Sequence, residues 1–270
     1  MVSFPNAKIN LGLSVLMKRS DGYHQIETVF YPIALTDVLE IVPSSVGEAV
    51  LGCRGLPIEG KLEQNSCLVA YQTMTAHFKM PPVSMFLYKK IPTGAGLGGG
   101  SSDAAFTIRM LNELFNLKAT RDQLRGIAEA IGSDCPFFIE NRPMLGTGRG
   151  ECLKPIDLDL SGYHIMIIKP AISVSTAEAY AGVVPRNRQE SLKDVIRLPL
   201  REWQENLIND FEESIFRKYP GIASIKSTLL DQGAVYASLT GSGSAVYGLF
   251  ESTPPGSSLF PDCFVWAGRC

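Results

Sequence analysis

The sequence predicts an α+β fold, and three observations carry that expectation. Segments with strand periodicity and segments with helical periodicity come in mixed order along the chain. Several strands fall in hairpin-like pairs, which disfavours a doubly wound parallel sheet. The 270 residues are 45% apolar and 19% charged, an ordinary globular balance with room for one large domain or two modest ones.

Residues 8–15, KINLGLSV, alternate cleanly. Ile9, Leu11, Leu13 and Val15 take one face; Lys8, Asn10, Gly12 and Ser14 take the other. That second face suits either close approach by another group or a solvent-facing edge strand. Asp21-Gly22 makes a tight turn. Tyr23 and His24 follow it, as packing or as a grip on an aromatic ligand. Strands are expected at 26–30 and 35–42, with Thr36-Asp37 turning into the second. Loops between Gly47 and Gly60 surround a short apolar segment, 49–52. Asn65 stands at the N-cap of a helix carrying Leu68, Val69, Gln72 and Thr75, and capping alone explains it. Residues 83–88 read as a strand. Lys89-Lys90, after it, are a solvated pair or holders of a phosphorylated substrate.

The most informative stretch is 91–106, IPTGAGLGGGSSDAAF. Five glycines occupy the seven positions from Gly94 to Gly100, with Ser101, Ser102 and Asp103 directly behind them. Glycine lets the chain turn sharply and lets a ligand touch bare backbone. Ala104, Ile108, Leu111 and Phe115 then form a helical stripe. A glycine loop opening into a helix aims free N–H groups and the positive helix end at one spot, an anion site that suits phosphate. A Walker A reading fails for want of the Gly-Lys-Ser/Thr ending. A dinucleotide fingerprint on Gly94, Gly96 and Gly99 fails too, because the acidic residue it needs would fall where a helix runs into a turn, near 114–122.

Further on, a helix is expected at 121–131, closed by Gly132 at C′. Asp134 lies between that helix end and Pro136, where capping or turn-making is the default role. Residues 145–149, LGTGR, read as a small-residue turn. Then come a strand at 163–169, a helix started by Ser175-Thr176, and a polar stretch from 185 to 202 with few signals. Helices are expected at 203–216 and 221–232. Strands at 234–239, 245–250 and 263–266 follow, the first two flanking Thr240-Gly241-Ser242-Gly243-Ser244.

Net charge −2 gives no field for nucleic acid or an anionic membrane, and no apolar run approaches a membrane span. The first eight residues lack a basic start and an apolar signal core, so a cytoplasmic protein is expected. Six cysteines show no C-x-x-C pair, and the three histidines lie far apart, so neither disulfides nor a structural metal site is expected. Cys135 is notable only for its neighbours.

Four stretches, in order and at matching separations, resemble the GHMP kinases: residues 5–13 with Asp21-Gly22-Tyr23-His24, then 91–105, 132–138 and 239–247. The resemblance spans nearly the whole chain. It implies a two-domain GHMP kinase fold. An N-terminal domain (1–154) like domain 2 of ribosomal protein S5 would be followed by a ferredoxin-like C-terminal domain (155–270), with ATP and substrate meeting in the cleft between them. The first and third stretches resemble a member whose substrate is a cytidine diphosphate sugar-alcohol, phosphorylated on a tertiary hydroxyl in a mevalonate-independent route to isoprenoid precursors.

That resemblance implies a residue for each task. Lys8 and Asp134 would be the catalytic pair, acting by direct phosphoryl transfer. Asn10, Tyr23, His24, Thr176 and Tyr180 would bind substrate, with the aromatic groups around the cytosine ring. Asn65, Ser66 and Lys89 would bind adenosine. Pro92, Gly94, Gly96, Leu97, Gly98, Gly99, Gly100, Ser101 and Ser102 would line the ATP phosphates. Mg2+ would arrive with the nucleotide, held mainly by phosphates and water, with Ser101 or Ser102 contributing. The phosphate loop departs from the family pattern at Thr93 and Ala95, and 184–202 and 252–262 match weakly. A monomer or weak homodimer is expected. The alternatives are a homoserine- or mevalonate-type kinase, or a nucleotide-binding regulator without activity.

Overall fold

The structure, a computed structural model, describes residues 1–45, 47–58, 60–186 and 190–270. Positions 187–189, within the weakly patterned 184–202, lie outside the described residues, as do 46 and 59. The strands are β1 (Val2–Ser3), β2 (Asn6–Lys18), β3 (His24–Thr36), β4 (Val38–Pro43), β5 (Val50–Gly55) and β6 (Val83–Lys89). After them come β7 (Met144–Gly148), β8 (Cys152–Pro155), β9 (His164–Pro170), β10 (Tyr236–Leu239), β11 (Val246–Phe250) and β12 (Cys263–Arg269). The helices of the first half are α1 (Ser66–His77), α2 (Gly99–Leu114), α3 (Arg121–Ile131) and α4 (Cys135–Glu140). Those of the second are α5 (Thr176–Gly182), α6 (Leu192–Val195), α7 (Trp203–Asn206), α8 (Glu212–Lys218) and α9 (Pro220–Asp231).

The chain forms two compact units. One comprises Met1–Ala7, Leu35–Thr93 and Gly98–Arg142; the other Lys8–Ala34, Gly94–Leu97 and Pro143–Cys270. In the first, a sheet ordered β1-β4-β6-β5 accompanies α1 to α4. β4 runs antiparallel to β6, whereas β5 runs parallel to it. The predicted helical stripe holds for Ala104, Ile108 and Leu111, which are buried, whereas Phe115 is the half-buried C-cap just past the end of α2; Cys67, Ala70 and Met74 of α1 are buried too. Asn65 caps α1, its Oδ1 accepting the Cys67 N–H at 2.9 Å. Thr120 and Gln123 make a reciprocal capping box on α3.

The second unit holds two sheets, β2-β3-β7-β8 and β10-β11-β9-β12. The latter is antiparallel throughout. Its core gathers Leu13, Val15 and Ile26 with Ile168, Phe211, Ile222, Leu229, Leu239 and Val246. β2 is buried on both faces from Asn6 to Val15, so the edge-strand reading of its polar face does not hold.

Four local expectations change. The expected single helix over 203–216 is two short ones, because 207–211 leaves the helix to bond β2: the Leu13 N–H donates to the Ile208 carbonyl, and the Asp210 N–H to that of Leu13. Residues 145–149 are mostly strand β7, paired with both β3 and β8; of them only Arg149 turns, beginning a turn that runs through Gly150 and Glu151. Asp37 interrupts the expected strand 35–42, ending β3 and preceding β4. Gly132 closes α3 in extended conformation, φ −178°, not the left-handed one.

Candidate functional site

In the second unit the site is built on β2. Lys8 is 3% exposed, and its Nζ donates to Asn10 Oδ1 at 2.6 Å and to the Gly96 carbonyl at 2.9 Å. The ammonium also lies 5.4 Å from the centre of the Phe30 ring. Asn10 is fixed in turn. Its Nδ2 donates to Thr28 Oγ1, whose hydroxyl donates to the Gly12 carbonyl. The Thr240 hydroxyl accepts the Asn10 N–H and donates to Gly96, and the Tyr247 hydroxyl donates to the Asn10 carbonyl. Asn209 Nδ2 holds the carbonyls of Leu239 and Gly241, both at 2.9 Å.

Gly96 explains part of the glycine pattern. Its φ is +75°, and a Cβ there would meet the Thr240 carbonyl oxygen at 2.0 Å, which no side chain can survive. Thus Gly94–Leu97 and the Thr240-to-Ser244 loop touch backbone to backbone, with the Ala245 N–H donating to the Ala95 carbonyl.

The aromatic residues of this unit adopt a different pairing from the expected sandwich. The His24 and Tyr180 rings stack on each other, centroids 4.7 Å apart and 19° from parallel, while Tyr23 lies exposed under the Arg149 guanidinium at 5.0 Å. No base-wide gap separates His24 from Tyr180 in this state. Burial, with Lys18 nearby, holds the His24 imidazole below its ordinary value, so it is neutral at pH 7. The Thr176 hydroxyl lies 3.4 Å from that of Ser242.

In the first unit, α2 begins where the glycines end. Gly98, its N-cap, is left-handed at φ 71°, and no side chain caps the helix, which leaves the first N–H groups for a ligand. Ser101 hydrogen-bonds the Cys135 thiol, bringing the first turn of α2 beside the start of α4 and so beside Asp134. Asp134 stands at the N-cap of α4 but makes no cap hydrogen bond with its side chain. Capping is therefore not its role here. Burial pushes the Cys135 thiol up to about 12, so it is a neutral thiol and not a nucleophile.

A cavity of about 560 Å³ opens beside this helix start, lined among others by Asn65, Ser66, Lys89, Thr93, Gly100 and Asp103. It gathers three of the residues expected to hold adenosine with one from the phosphate stretch. Pro92, between Ile91 and Thr93, is buried. Lys89 is 2% exposed, and its ammonium is gripped by the carboxylates of Asp37 and Asp103, the latter at 2.7 Å. A larger cavity, about 700 Å³, lies in the second unit among α8 and α9 and contains none of the expected site residues. Lys8 and Asp134 belong to different units.

Residue reading missed Thr28, Asn209 and the Asp37–Asp103 pair. Thr28 carried no signal beyond alternation, and Asn209 was absorbed into a supposed helix. Asp103 was visible behind the glycines, but nothing local tied it to a lysine fourteen positions earlier.

Comparison with known proteins decides the family. The model of the GHMP kinases N terminal domain matches residues 65–141, and that of the GHMP kinases C terminal region matches 190–259. The chain belongs to the GHMP kinases. Two relatives of this GHMP kinase bear the name 4-diphosphocytidyl-2-C-methyl-D-erythritol kinase. The one from Parabacteroides distasonis is 48% identical over all of this chain and 99% of its own length. The one from Bacteroides thetaiotaomicron is 50% identical, with both chains fully covered. Among solved structures, a 4-(cytidine 5'-diphospho)-2C-methyl-D-erythritol kinase superposes with TM-score 0.83 at 30% identity, covering 99% of this kinase and 98% of that chain. A mevalonate kinase, 16% identical with TM-score 0.74, shares the fold. Among the described residues no helix is long and apolar enough to cross a membrane.

Proposed function

We propose that this GHMP kinase transfers the γ-phosphoryl of ATP directly to the 2-hydroxyl of 4-diphosphocytidyl-2-C-methyl-D-erythritol. The observation that carries this reading is full-length identity of 48% and 50% to two kinases of that name. Mevalonate and homoserine kinases share the fold at 16% and 17% identity, which leaves their substrates without support here. The domain division at 154/155 rests on family matches that fall on either side of it.

Phosphoryl transfer depends chiefly on positioning and on neutralising the charge of the moving group. The Asp134 carboxylate takes or orients the proton of the accepting hydroxyl. Lys8, its ammonium directed by Asn10 and Gly96, stabilises the negative charge that develops there. Asn10 orients substrate from the same strand face. Gly94 to Gly100 and the first turn of α2 present N–H groups to the phosphates, while Asn65, Ser66 and Lys89 border the adenosine. Tyr23, His24 and Tyr180 receive the cytosine, for which the His24–Tyr180 stack must open or offer an outer face; Thr176 lies on the same side chain cluster.

Mg2+ fits this reading as a companion of the nucleotide. Among the described residues no group of three His, Cys, Asp or Glu side chains could hold an ion. Ser102 Oγ, fully buried and without a hydrogen-bond partner, and Ser101 are the hydroxyls at the helix start. Bound there, the ion would neutralise phosphate charge. A monomer or weak homodimer, acting on small molecules alone, completes the proposal.

The test is ADP release by purified protein given Mg-ATP and 4-diphosphocytidyl-2-C-methyl-D-erythritol. Turnover is expected. Silence with this substrate but turnover with mevalonate or homoserine overturns the reading.

A further inference from the structure

The Lys89 cluster is built in a way that binding of adenosine by a lysine does not require. Its two carboxylates face one ammonium, all three at 2% exposure or less. Asp37 is fully engaged: its second oxygen accepts the N–H groups of Lys90 at 2.5 Å and Ile91 at 2.9 Å. It therefore fixes the first residues of the segment leading into the glycines. Asp103 sits in the second turn's approach of α2, with Oδ2 on Lys89 and Oδ1 buried without a partner. The ammonium lies directly under the helix start. A Cβ on Gly99 would come within 3.3 Å of Lys89 Nζ and 2.9 Å of Ile91 Cγ2. One ammonium thus ties the end of β6, the entry to the glycine stretch and the start of α2 together.

We propose that Asp103 is a positioning residue for the nucleotide: through Lys89, and with Asp37, it holds the entry to the glycine stretch and the first turn of α2 in the arrangement that receives the phosphates. This rests on the nucleotide site proposed above and adds to it a residue that touches no reacting atom.

Titration calorimetry of ADP and steady-state kinetics of wild type and Asp103→Asn test this. Asp103→Asn keeps the volume but loosens the hold on Lys89, so it should weaken ADP and raise KM for ATP by about tenfold while kcat and the KM of the second substrate stay within about twofold of wild type. Should it fail to fold, Asp103→Glu, which keeps the charge and displaces it, should move the same two quantities in the same direction. Unchanged ADP affinity and KM for ATP in the folded variant, or an equal loss in kcat, overturns the proposal while leaving the nucleotide site standing. Absence of ADP binding by folded wild type overturns the nucleotide site itself.

Discussion

Two lysines of this kinase are almost equally buried, Lys8 at 3% and Lys89 at 2%, and they meet different partners. The partners of Lys8 include an amide oxygen and a backbone carbonyl, which set its direction. Lys89 is clasped by two carboxylates that answer its charge and exceed it. The first arrangement aims a cation; the second consumes one to fasten backbone. Burial and residue type alone would have assigned both the same task.

The largest expected effect sharpens the aiming side. Lys8→Ala and Asp134→Asn should each lower kcat by about 10²-fold or more with circular dichroism unchanged. A steady-state assay in which either variant keeps near-normal turnover would remove that residue from the catalytic pair. Next, on the fastening side, Lys89→Met strands two buried carboxylates and should cost about 3–5 kcal/mol in urea unfolding. A loss under about 1 kcal/mol would mean that the clasp is not what it looks like, since exposed pairs are worth no more.

A third prediction concerns pH. The folded protein holds the Asp103 proton up to about 7, whereas the unfolded chain releases it near the ordinary 3.8. Stability from this group is therefore whole below about pH 4 and drains away as pH rises through the folded value, by at most about 1.4 kcal/mol per pH unit. Urea midpoints of wild type and Asp103→Asn between pH 5 and pH 8 should converge or cross in that sense; parallel curves would contradict it. Smallest is Asn65→Ala, which removes the α1 cap and should cost about 1 kcal/mol, read from the same unfolding curves, together with a raised KM for ATP.

The α+β class, α1 to α3 and most strands were legible because periodicity and capping are local. Asn65 and Ser175 announced their helices, and each accepts the cap bond expected of it. Lys8 and Asn10 drew notice through the sparsely polar face of β2, though the sequence left a solvent-facing edge strand open and only the burial of both faces excludes it. The broken helix at 207–211 and the Asp37–Lys89–Asp103 cluster were hidden for one reason. Each depends on a partner far along the chain, and such a partner leaves no mark on the residues beside it. The aromatic contacts were likewise not readable from adjacency: His24 stacks on Tyr180, 156 positions away, while Tyr23 meets Arg149.

The distant bonds of β2 also bear on how the protein is made. Val15 takes the Asp210 carboxylate across 195 positions, and Asn10 receives the Tyr247 hydroxyl across 237. A ribosome emits the strand carrying Lys8 long before the groups that seat it, 195 and 237 positions further on. Contacts of such separation form late and slowly. Until residues 207–250 have emerged, β2 is an apolar ribbon lacking part of its cover, and nascent chains halted before that point should be captured by chaperones and carry no kinase activity.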